Sequence, residues 1–181
     1  MATQQWDFDL SHSSVNFHVR HLMVSKVHGR FSLWSGKLEL DEQDLTKSQL
    51  EVEIDATSVD TKEAKRDEHL RSADFFDVAQ FPKLTFKSSK IEKDGDDYKV
   101  SGDLTIKGVT KSVTLEVEGG AVVKDPWGGT RTGFSAKTTI NRKDFGLTWN
   151  VALETGGFLV SDKIEISLEI EAVKKAASQA A

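Results

Sequence analysis

The chain has 181 residues and a formal charge of −5, with 24 Lys and Arg against 29 Asp and Glu, and it contains no Cys. That length suits one domain, and the lack of Cys excludes a disulfide framework, a thiolate metal centre and a cysteine nucleophile. A net acidic chain with no basic run is a poor candidate for nucleic acid or an anionic bilayer, and no stretch approaches the ~18 apolar residues of a membrane-spanning helix.

The N-terminus, Met-Ala-Thr-Gln-Gln-Trp, has neither a basic n-region nor an apolar h-region. It therefore reads as cytoplasmic, or as periplasmic or secreted if the chain begins at a mature end. Period-2 alternation follows. In the first strand Val15, Phe17 and Val19 alternate with Asn16, His18 and Arg20. The second runs from about Val27 to Leu40, with Phe31 on its apolar face, and a bulge is expected where Trp34-Ser35-Gly36 interrupts the pattern. The third carries Leu50, Val52 and Ile54. Lys62–Ser72 is rich in helix formers and Asp74–Asp77 adds a turn, so a helical insertion is expected around residues 62–78.

The fourth strand holds Leu84 and Phe86, and Lys93–Asp97 turns the chain into a fifth with Tyr98, Val100, Leu104 and Ile106. A turn at Lys107–Lys111 leads to a sixth with Val113, Leu115 and Val117; a turn at Asp125–Gly129 leads to a seventh with Phe134, Ala136, Thr138 and Ile140. After the long stretch Asp144–Val160 comes an eighth, with Ile164, Ile166, Leu168 and Ile170. Residues 1–173 read as one β-domain and 174–181 as a flexible tail.

Strict alternation means one buried and one wet face, the antiparallel signature. Eight such strands with short connections predict an all-β, eight-stranded antiparallel up-and-down barrel, with an open sandwich as the competing layout. A barrel of this size either packs solid or holds one small ligand. Ala56, Ser88, Gly102, Ala136 and Thr138 are small residues on apolar faces; they leave room inside unless they oppose large partners such as Trp34 and Phe134.

In such a barrel the connections after odd strands share one rim, here called the odd rim, and those after even strands share the even rim. The long connections all fall on the odd rim. The even-rim connections 41–47, 92–97 and 124–131 hold eight acids against four bases. The predicted cavity wall comprises Phe17, Val19, Phe31, Ile54, Phe86, Leu104, Ile106, Phe134, Ala136, Ile140 and Ile166. Extending the inward faces of strands one and seven reaches His21 and Arg142 at the odd rim, where they either grip a polar head or satisfy loop carbonyls and nearby acids such as Asp144. His69 and Arg71 end the helix, where its dipole favours positive charge, and are further head-group candidates, with Trp149 in the long loop.

His18 and His21 are three apart on a strand and point to opposite faces; His12 and His28 fall in connections, so no metal set is expected. No GxSxG, HExxH or glycine-rich phosphate loop occurs.

The run WDFDLSHSSVNFHVRHLMVSKVHGRF (6–31), HLRSADFFDVAQFPKLTF (69–86), GDLTIKGVTKSVTLEVE (102–118), INRKDFGLTWN (140–150) and the closing VSDKIEISLEIE together resemble the YceI-like family across about residues 5–173. The resemblance implies a lipocalin-like barrel with an elongated apolar cavity that takes polyisoprenoid chains, isoprenoid quinones or related long-chain lipids, and it implies a homodimer. Many members are secreted or periplasmic. His21, His69, Arg71, Asp74, Arg142, Asp144 and Trp149 fall on its motif positions. The expectation is non-enzymatic binding or carriage of a polyprenyl phosphate or alcohol, an isoprenoid quinone or a similar lipid, with no cofactor or metal. The alternatives are an enzyme acting on a lipid head with His21 or His69 as acid/base, and a packed β-domain acting through its surface.

Overall fold

The computed structural model of the chain describes residues 3–176. It contains eleven strands: β1 (Gln4–Phe8), β2 (Ser14–His21), β3 (Ser25–Phe31), β4 (Trp34–Leu40), β5 (Gln49–Asp55), β6 (Val59–Asp60), β7 (Lys83–Asp94), β8 (Asp97–Ile106), β9 (Val109–Lys124), β10 (Thr130–Asn141) and β11 (Val160–Lys174). One helix, α1 (Ala64–Arg71), lies within the expected insertion. All pairings of named strands are antiparallel, in the order β1-β4-β5-β7-β8-β9-β10-β11-β2-β3-β6, and β1 also pairs with β11, which closes the barrel.

Eleven strands reduce to the eight of the alternation because two of those eight are each broken in two and β6 is a two-residue addition paired to β3. β1 and β2 lie end to end along β11: Trp6–Phe8 pair with Lys174–Ala172, and Ser14–Val19 pair with Glu169–Ile164. β3 and β4 are separated only by Ser32 and Leu33. The bulge expected at Trp34–Gly36 is not there, since Trp34, Ser35 and Gly36 pair regularly with Ile54, Glu53 and Val52; the break comes two residues earlier. Gly36 serves close approach instead, because a Cβ on it would sit 2.3 Å from the Glu51 carbonyl oxygen. Bulges occur at Ser88/Lys90 and Thr132/Phe134.

The inward apolar residues form one large core. A second cluster of Trp6, Leu38, Leu40 and Ala172 fills the even end of the barrel. Outward positions pair opposite charges across strands, for example Lys87 with Glu51 at 3.5 Å. Exposed pairs of this kind contribute at most about 1 kcal/mol each, so the barrel rests on its interior.

The strand pattern extends past the expected domain end. Lys174 pairs with Trp6 and contacts Glu42, and the Lys175 N–H donates to Gln5 O at 2.9 Å. The rest of the expected tail, 177–181, lies outside the described residues. Among the described residues no helix is long and apolar enough to cross a membrane.

Candidate functional site: a lengthwise barrel cavity

The barrel encloses a cavity of about 520 Å³, within the usual range for small-molecule sites. Its wall includes Phe17, Val19 and His21 of β2, Phe31 of β3, Ile54 of β5, Phe86 of β7, Leu104 and Ile106 of β8, Phe134, Ala136 and Ile140 of β10, and Ile166 of β11. His69 of α1, Arg142 and Trp149 complete the expected positions found on the wall. Period-2 geometry explains why these converge: every second residue of each strand points inward.

Glycine creates part of this shape. The Phe17 ring lies across Gly29 on the neighbouring strand, so a Cβ there would be 2.2 Å from Phe17 Cζ. The Phe86 ring covers Gly102 in the same way, at 2.5 Å. Gly102 therefore opposes a large partner rather than opening space, whereas Ala136 and Thr138 do border the cavity.

The even end is closed by the Trp6 cluster, with Leu38, Leu40, Leu45 and Tyr98 on the wall. Besides the buried Arg142, the charged and imidazole wall groups Arg20, His21, Lys65, Arg66 and His69 collect at the other end, half-buried or exposed. The mouth is therefore at the odd rim, between β2 and α1. Sequence reading missed Lys65 and Arg66, because an eight-residue helix with no apolar stripe gives no sign of which side meets the barrel. Tyr98 was recoverable from its inward parity.

Two expected head-group contacts are otherwise engaged. Arg71 is off the wall: its Nε donates to Thr57 O at 2.9 Å and its Nη2 to Val59 O at 3.3 Å, tying the helix end to the turn before β6. Arg142 is only 1% exposed. Its Nε donates to Ser161 O at 2.9 Å, Nη1 to Leu147 O at 2.7 Å and Trp149 O at 2.8 Å, and Nη2 approaches Val160 O at 3.4 Å. Burial pushes its pKa down, while Asp162, 3.8 Å away, acts in the opposite direction. A buried cation whose forked donors meet several carbonyls has found its partners in the loop. Arg142 folds the 146–159 connection onto the barrel.

His69 also joins elements. Its Nε2 lies 2.9 Å from Asp74 Oδ2, and its ring packs edge-on against Phe75 at 5.0 Å and Trp149 at 4.6 Å. Helix and long loop therefore meet through this imidazole beside the mouth. His28 belongs to β3 rather than to a connection, opposite His18 with ring centroids 5.4 Å apart.

On the even rim Asp9, His12 and Glu171 bring their ligand atoms within 4.8 Å of one another. Arg131 sits among these acids: Nη1 donates to Asp9 and Glu171 at 2.8 Å each, and Nε to Asp125 at 2.8 Å. The guanidinium thus supplies the positive charge an ion would bring. Hydrogen bonds from Ser11, His12 and Arg131 hold the Asp9 carboxyl well below its ordinary range, and Asp9 raises the His12 pKa in return.

Protein YceI of Escherichia coli O17:K52:H18 (strain UMN026 / ExPEC) is 41% identical over 174 residues, covering 96% of this chain and 88% of that protein. The crystal structure of the Campylobacter jejuni YCEI protein is 36% identical with a TM-score of 0.75, covering 87% of this chain and 90% of its own. A polyisoprenoid binding domain from Saccharophagus degradans shares the fold, with a TM-score of 0.67 at 18% identity over 94% of this chain and 98% of its own. The YceI-like domain family matches residues 6–172, and the chain belongs to that family.

Proposed function

We propose that this protein binds a long isoprenoid or similar lipid inside the barrel and carries it without chemical change. The observation behind this reading is the lengthwise cavity of about 520 Å³, closed by Trp6 and its neighbours at one end and walled by apolar side chains from strands around the barrel. The name of the Saccharophagus degradans domain supports the same ligand class. Burying a tail of about 15 carbons yields a gross ~12 kcal/mol at roughly 0.8 kcal/mol per CH₂, before ordering costs. One hydrogen bond to a charged head adds about 1.5–3 kcal/mol. The tail therefore dominates affinity and the rim selects the head, whether phosphate, alcohol or quinone. With Arg142 committed to carbonyls, that selection falls to His21 and Lys65 at the mouth.

Mass spectrometry of an organic extract of the purified protein tests the reading: a co-purifying long-chain lipid is expected. Ala136→Trp should abolish it while leaving the barrel folded, and retention of lipid by that variant would remove the cavity from the site. Turnover of a candidate lipid, lost in His21→Ala or His69→Ala, would replace carriage by catalysis. The proposal includes a homodimer, and sedimentation showing only monomer at micromolar concentration would remove that part.

A further inference from the structure

Among the described residues ten large hydrophobic side chains are exposed, and five of them, Leu22, Met23, Val24, Val151 and Phe158, lie on just two connections. These are the β2–β3 hairpin and the 146–159 loop, and they are joined: the Leu22 N–H donates to Leu159 O at 2.9 Å, and Met23 Sδ lies over Gly157, 2.2 Å from where a Cβ would be. Val24 is 79% exposed at the tip. The hairpin holds its apolar side chains there against backbone preference, since Leu22 and Met23 have φ of +54° and +62°, a region that glycine or asparagine occupies with less strain. The patch continues directly into the mouth, because Leu159 of the long loop and the adjoining strand ends His21 and Val160 all line the cavity wall.

Charge distribution supplies the second argument. Leaving out the buried Arg142, the odd-rim connections 21–27, 62–81, 107–111 and 143–160 carry eight bases against seven acids, whereas the even-rim connections carry eight acids against four bases. Lys143 Nζ, paired with Asp162 at 3.4 Å, sits 5.9 Å from the Phe158 ring centroid. An apolar projection on a near-neutral rim, opposite a strongly negative far end, is oriented by an anionic interface with the odd rim facing it, because the far end is repelled. The whole-chain charge of −5 disfavours such a surface only if charge is spread evenly. The other exposed apolar group, Val122, Val123 and Trp127 on the β9–β10 hairpin, stands at the acidic end beside Asp125, away from the mouth.

Resting on the lipid-carriage reading, we infer that the hairpin tip and Phe158 dock the mouth onto a phospholipid bilayer containing anionic lipids, so that cargo passes between membrane and barrel without crossing water. The test is flotation of the full-length protein with phosphatidylcholine vesicles containing phosphatidylglycerol. The wild type should float, Val24→Asp and Phe158→Asp should each weaken vesicle binding by roughly tenfold, about the effect of 1.4 kcal/mol, and Trp127→Ala should behave as wild type. Wild type that stays with the soluble fraction, or a Val24→Asp/Phe158→Asp protein that floats equally well, would overturn docking. Sedimentation in which that double variant turns a dimer into a monomer would overturn it in favour of a second copy of the chain. Binding of N-phenyl-1-naphthylamine in vesicle-free solution separates the two readings. Its retention by the double variant and loss in Ala136→Trp leave the cavity intact, whereas equal binding by both variants would sink the cavity reading and spare the flotation result.

Discussion

The two ends of this barrel are built from the same alternating strands and do opposite things. At the even end Trp6, Leu38, Leu40 and Ala172 fill the interior, and the polar groups are drawn into a closed knot around Arg131. At the odd end the interior is left open, apolar side chains stand in solvent, and the two buttressing polar groups, Arg142 and His69, tie loops together rather than sealing them. The difference lies in connection length. Short connections bring strand ends together and let their side chains meet, while long ones need interior anchors and leave a gap between them. Stability is thus concentrated at one end and access at the other.

The plug should give the largest effect. Trp6→Ala should cost about 3–5 kcal/mol in urea unfolding, because the surrounding strands cannot collapse into the space left. Trp6 Nε1 has no hydrogen-bond partner among the described residues, so Trp6→Phe should cost much less, about 1 kcal/mol, through lost area alone. Equal losses in the two variants would show that the indole N–H matters and that the end is not a purely apolar plug.

Next comes the odd-rim anchor. Arg142→Ala should destabilise by about 3 kcal/mol, since several carbonyls lose a charged donor, and amide exchange should rise in residues 146–159 while β7–β9 stay protected. Arg142→Lys should rescue only part, because an ammonium cannot reproduce the fork. A stable Arg142→Ala protein with an unchanged loop would return Arg142 to the role of head-group ligand.

The smallest effect is electrostatic and belongs to the even rim. Asp9 is held below its ordinary value of 3.8, so its contribution is present above that pH and fades as pH falls through the lower folded value. The Tm gap between wild type and Asp9→Asn should therefore be constant near neutrality and shrink in acid. His12 is raised above 6.5, so its contribution is complete below that pH and is lost as pH rises through the folded value. The gap for His12→Gln should close on the alkaline side. Gaps that do not change with pH would dissociate the Arg131 knot from stability.

Periodicity alone determined most of the wall. Alternation in Val15–Val19, Tyr98–Ile106 and Phe134–Ile140 states which side chains share a face, because the pleat leaves no other choice, and eight such runs with short turns specify a closed antiparallel sheet. Parity also placed the long connections at one end. Three features were decided only in three dimensions. β1 is too short to show a period of its own and exists because Leu40 and Lys174 offer it two free edges. The break at Ser32–Leu33 replaced a bulge at Trp34–Gly36, since it is Gly36 packing on Glu51 that requires the missing side chain. The inward parity of Arg142 was readable, but its role depended on whether carbonyls would come within reach, and a loop that returns to its anchor from five to nineteen residues away leaves no periodic trace in the chain. Side-chain direction is a local property of the strand, whereas the partner of a buried charge is set by whatever the rest of the fold brings beside it.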